Sequence, residues 1–160
     1  MILMVHLLLG AVIVSKIKFL PLALLLAFLI HYPLDMLPHW EYSIKNILGK
    51  NWKNSFKDFM KVLLDISLGI LLIFIFSKSF FLSLLGGLLA ILPDGLTLIG
   101  LIAPNKLLRA HENFHREIHF FKSAEELESP EVYQRGKKIF PFWGILFEIL
   151  LIILAIYLLK

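Results

Sequence analysis

The side chains best suited to chemistry in this 160-residue chain are its six histidines and three of its aspartates: His6, His31, Asp35, His39, Asp65, Asp94, His111, His115 and His119. Imidazole and carboxylate bind zinc and other divalent ions, and because the chain has no cysteine any metal must be held by His, Asp, Glu or water. His31 and Asp35 stand four residues apart, as do Asp35 and His39, the spacing of neighbours on one helix face. Pro33 and Pro38 interrupt that stretch, so a plain helix is not expected there. Pro93-Asp94-Gly95 repeats the arrangement of an aspartate at a helix break. At membrane depth, backbone freed in this way is tolerated only where it is buried in protein or lines a wet cavity. Two such breaks, each with an aspartate, predict the rim of a pocket.

His111, His115 and His119 recur at every fourth position. The outer two would be about 12 Å apart along a straight helix, too far for one ion to take all three. Adjacent pairs would serve two ions, or one pair would bind while the third histidine acts as acid, base or phosphate contact. His111-Glu112-Asn113-Phe114-His115 also matches the HExxH pattern of zinc peptidases. A pattern this short recurs by chance, and none of the usual continuation follows it. Glu112 nevertheless stands as a candidate general base, together with Asp65 and His111 as candidate catalytic groups.

A mostly apolar chain must position these groups. Hydrophobic residues make up 59% of it, well above the roughly 45–50% of a soluble domain, and the mean hydropathy is +0.82. Apolar stretches at 2–14, 19–37, 59–76, 80–103 and 139–159 predict an all-α membrane bundle of about five spans in one domain covering residues 1–160. The first stretch is short for a full crossing. The start lacks the basic region and cleavage site of a secretory signal and is read as part of the fold. Residues 105–122 read as an amphipathic helix and 125–138 as a charged loop broken by Pro130 and Gly136. Gly10 and Gly86-Gly87 read as points of close helix packing. Trp40, Tyr42, Trp52 and Trp143 fit an interfacial aromatic belt.

Alternating five spans gives the protein two faces. Twelve Lys and Arg fall on the face that holds the N-terminus, the 40–58 loop and the 104–138 region, against four on the other. The positive-inside rule then puts the first face in the cytoplasm, at a bacterial cytoplasmic membrane. The net charge of +4 reads as topology and attraction to anionic lipid, with no nucleic-acid partner. All nine candidate groups fall on that same face. A lone aspartate at the centre of a membrane helix costs about 2.5–3.5 kcal/mol, and Asp35, Asp65 and Asp94 sit among leucines with few cations at their depth. A divalent ion would satisfy several carboxylates at once and accept neutral imidazoles as co-ligands. The competing reading is polar glue, in which these groups hydrogen-bond one another or stay protonated. Glu148, in the last apolar stretch, pairs with a helix neighbour or lines the pocket.

The early VHLLLGA, then FLIHYPLDMLPHWEY, GGLLAILPDGL and FHREIH, together resemble small bacterial membrane proteins of the membrane-bound metal-dependent hydrolase type. HYPLDMLPH is the most specific part. The resemblance implies a helical membrane protein binding one or two divalent ions, zinc being the expected metal. It implies His6, His31, Asp35, His39, Asp94, His115 and His119 as the ligands. His31 to Asp35 with Pro38-His39 is also similar, with shorter spacing, to a stretch of zinc-dependent phospholipases C and P1-type nucleases. The expected activity is hydrolysis of a phosphoester on a lipid or polyprenyl substrate at the cytoplasmic interface, with homo-oligomerisation left open. The rivals are a divalent-metal transporter, in which the same residues form a transit site, and a metal-binding structural protein.

Overall fold

The computed structural model describes residues 1–118 and 130–160, with side chains described for 1–118 and 142–160. Every regular element among them is helical: α1 Leu3–Lys16, α2 Leu20–Leu29, α3 His31–Asp35, α4 Lys45–Leu48, a 3-10 turn Trp52–Asn54, α5 Phe56–Phe76, α6 Phe80–Ile102, α7 Lys106–Ile118 and α8 Pro130–Leu159. Three stretches have the length and apolarity to cross a membrane, namely Phe56–Phe76, Phe80–Ile102 and Phe142–Leu159. The expected first and second spans fall short. At 1.5 Å per residue the 14 residues of α1 rise about 21 Å, against a hydrocarbon core of about 30 Å.

The shortfall of α1 has a packing counterpart. It is the most enclosed helix, with Val5, His6, Leu7, Leu8, Ala11, Val12 and Val14 all buried. A helix apolar on every side belongs inside a bundle, and α1 packs against α2, α5, α6 and α8. Its closest approach is to α6. A Cβ at Gly10 would fall against the carbonyl oxygen of Gly86, so only glycine lets the two backbones meet. By contrast α5, α6 and α8 turn Leu64, Phe74, Phe81, Ile153 and Tyr157 outward, as lipid-facing helices do.

The N-terminal amides of α1 are the fold's main polar problem, since Ile2 supplies no side-chain cap. Neighbouring helices solve it. Asp65 of α5 accepts from the amides of Leu3 (2.7 Å) and Met4 (3.2 Å), and Glu148 of α8 from that of Ile2 (3.4 Å). Both carboxylates also oppose the positive end of the helix dipole.

Prolines shape the elements near the site. Pro33 has no amide for the carbonyl of Leu29 and its ring crowds that group, so α2 ends at Leu29 and α3 starts anew at His31. Pro93 lies inside α6, which continues through it to Ile102. Pro130 opens α8, where residues 130–138 are helical rather than the expected loop; a proline in the first turn of a helix costs no hydrogen bond.

Candidate metal centre

Four side chains from three elements converge: His31 and Asp35 of α3, Asp94 of α6 and His115 of α7. One ligand atom of each lies within 4.8 Å of all the others. The imidazole Nε2 atoms of His31 and His115 are 3.0 Å apart, and Oδ2 of Asp35 is 3.1 Å from the first and 3.0 Å from the second. Oδ1 of Asp94 completes the group at 3.7 and 3.8 Å from the two imidazoles. Four ligands held tetrahedrally at zinc distances are about 3.3 Å from one another, the middle of this range.

Outer hydrogen bonds orient the two rings. Nδ1–H of His31 donates to the carbonyl of Ala90 at 3.0 Å, and a carbonyl can only accept. The hydroxyl of Thr97 donates to the carbonyl of Pro93 (3.2 Å), so it accepts from Nδ1–H of His115 (3.3 Å). With Nδ1 of each ring bonded outward, Nε2 of each is the nitrogen turned toward Asp35. The two Nε2 atoms and Oδ2 of Asp35 thus face one another at 3.0–3.1 Å. Orienting bonds on the far ring nitrogen are what metal-binding histidines use.

His6 shares the pattern at the other oxygen of Asp35. It is fully buried, its Nδ1 lies 3.4 Å from the carbonyl of Ile2, and its Nε2 is 3.3 Å from Oδ1 of Asp35 without forming a hydrogen bond. The amine of Met1 also reaches Oδ1 of Asp35, at 3.2 Å, and Oε1 of Glu41 at 2.6 Å.

The other expected site residues sit around this group. His39 follows the end of α3, so it does not share the helix face of Asp35; its Nδ1–H donates to the carbonyl of Leu37 (2.6 Å) and its Nε2 is 3.0 Å from Glu41. His111 stacks on His115 with ring centroids 5.8 Å apart, and both of its ring nitrogens are buried without a hydrogen-bond partner. Burial, with the nearby His115 adding to it, lowers the pKa of His111. Of the HExxH pair, then, only His115 belongs to the four-residue group. Among the described residues no hydrogen bond or ion pair joins Glu112 to that group, and His119 lies outside the described residues. Asp65 is engaged at the head of α1 and by the hydroxyl of Tyr42 at 3.0 Å.

Sequence reasoning missed Thr97 and the carbonyl of Ala90. Thr97 had a legible signal, being the polar residue one turn beyond Asp94. A backbone carbonyl has none. Tyr42, read as part of the aromatic belt, turns inward instead, and burial together with the Asp65 carboxylate raises its pKa and keeps it a hydrogen-bond donor.

Beside the group opens a mainly apolar cavity of about 230 Å³. Asp94, Thr97 and His115 line one part of it, and Ile44, Leu48 and Val62 another. Comparison with protein-family models, with curated proteins and with solved structures found no match for the chain.

Proposed function

We propose that the protein is a membrane-embedded metal-dependent hydrolase in which His31, Asp35, Asp94 and His115 hold a divalent ion, zinc being the metal their chemistry suits best. The observation that carries this reading is the convergence of two Nε2 atoms, Oδ2 of Asp35 and Asp94, with both rings oriented from behind through Nδ1. His6, against the second oxygen of the same carboxylate, extends the donor set. A divalent ion in such a site supplies Lewis acidity, acidifying a water and stabilising charge that develops on a phosphoester. His111 is the proton carrier: burial keeps it neutral, its ring nitrogens are unengaged, and it adjoins His115. The substrate is a phosphoester of a lipid or polyprenyl alcohol, its chain in the apolar cavity and its polar end toward Asp94 and His115.

Transport is the weaker reading. A pathway needs ligands through the bilayer, and Glu148, the one acid that by sequence lay deeper, is spent at the head of α1. The deciding experiment is metal analysis of the purified protein beside Asp35→Ala and His115→Ala, followed by phosphate release from a panel of phospholipids. Close to stoichiometric metal in the wild type, lost in both variants, with lipid-dependent phosphate release is the expected result. A wild type without metal overturns both hydrolase and transporter, and metal flux into proteoliposomes without hydrolysis favours the transporter.

A further inference from the structure

The segment 44–61 carries five lysines, Lys45, Lys50, Lys53, Lys57 and Lys61, and one acid, Asp58. Asp58 is buried and occupied, accepting from the amide (2.9 Å) and side chain (3.1 Å) of Asn46, with Lys61 at 3.4 Å. Lys45, Lys50, Lys53 and Lys57 are exposed, and none has an ion-pair partner among the described residues. Between them Leu48, Trp52, Phe56 and Phe59 are exposed too, with Trp52 stacked on Phe59.

This is a built surface. Ile47 and Ser55 are buried beneath it, Ser55 Oγ donates to the carbonyl of Asn51 (2.8 Å), and Lys61 Nζ donates to that of Ser43 (2.8 Å). Lys50 holds a left-handed backbone (φ 55°) that glycine would adopt without strain. Cations interleaved with exposed aromatic and aliphatic side chains match the headgroup layer of a bilayer, where rings sit at the boundary and lysines meet anionic lipid. Its inner edge, Ile44 and Leu48, is also a wall of the cavity beside the metal group.

We propose that segment 44–61 is a docking surface for anionic phospholipid headgroups of the surrounding bilayer, concentrating such lipids at the mouth of the cavity. The surface stands independently of the hydrolase reading. Joined to it, the surface makes an anionic lipid the substrate class, since its polar end would arrive among lysines before reaching Asp94 and His115.

The test is lipid retention by the full-length protein released from nanodiscs of equal phosphatidylglycerol and phosphatidylcholine, read by native mass spectrometry, with metal content measured on the same sample. The wild type is expected to retain phosphatidylglycerol at least about fivefold over phosphatidylcholine, less so at about 0.5 M salt than at about 0.05 M. The variant Lys45→Gln/Lys50→Gln/Lys53→Gln/Lys57→Gln is expected to lose the preference, and Lys16→Gln/Lys18→Gln/Lys78→Gln to keep it. Equal retention of the two lipids by the wild type overturns the proposal, as does a preference surviving the four substitutions. Should that variant fail to fold, the salt series on the wild type decides alone, and a salt-insensitive preference overturns the proposal. Displacement of phosphatidylglycerol by millimolar inorganic phosphate also overturns it, because the site would then be one for free phosphate. Metal without lipid preference defeats this inference alone; preference without metal defeats the hydrolase alone.

Discussion

At the scale of single residues, the candidate centre depends on groups that touch no ligand position. Thr97 shows this best. Its hydroxyl, committed as a donor to Pro93, can only accept from His115, which turns the Nε2 of that ring toward Asp35. Thr97→Val keeps the shape and removes the acceptor, so metal affinity is expected to fall about 10- to 100-fold with helicity unchanged, measured by competition with a chelating dye. Affinity equal to wild type would mean the hydroxyl does not orient His115. The site was partly legible at this scale. An aspartate among leucines needs a partner whatever the fold, which singled out Asp35 and Asp94, while histidine spacing drew attention to His31 and His115. What spacing could not distinguish was a carboxylate serving an ion from one serving helix amides. Asp35 faces three imidazoles, whereas Asp65 faces two amides and a phenol, and both read from the sequence as a lone acid in an apolar run.

At the scale of elements, the four-residue group joins three helices with different attachments. α3 and α6 lie in the body of the bundle, whereas α7 follows the break at Ala103 to Asn105 and leans mainly on α6. Leu107 and Phe114 of α7 are exposed, so little apolar burial holds it down apart from the face bearing His111 and His115. Metal shared among the three helices would then act as a clasp. Chelation is expected to raise hydrogen exchange several-fold across Lys106–Ile118 while leaving Leu3–Lys16 protected, as read by mass spectrometry of matched metal-loaded and chelated samples. Unchanged exchange in α7 would separate its docking from the site. Element types were readable from the apolar runs and the prolines. The limits of α2 and α3 were not, because the crowding of Leu29 by Pro33 acts on the backbone four residues earlier.

At the scale of the molecule, the apolar runs foretold the membrane but not how the bundle would share it. A run of apolar residues looks alike whether it faces lipid or protein, so the enclosure of α1 could not be read until its burial was seen. Orientation is a matter of charge. The excess of Lys and Arg beside the 40–58 loop favours a cytoplasmic loop, with the α5–α6 turn at Ser77 to Ser79 on the other side. Single cysteines are easily read because the chain has none. Lys78→Cys is expected to react with an impermeant maleimide in intact cells, and Lys50→Cys only after lysis. The reverse pattern would put the metal group on the outer side.

The capping of α1 by Asp65 and Glu148 bears on biogenesis. α1 is made before the helices that cap it: its leading amides find their acceptors on α5 and on α8, 62 and 146 residues later for the Leu3–Asp65 and Ile2–Glu148 pairs. Unsatisfied amides in hydrocarbon cost several kcal/mol, so α1 must wait at the translocon or the interface until those helices emerge. The helix that carries His6 is thus translated ahead of α5 and α8 and is expected to take its final seat only after both are in place.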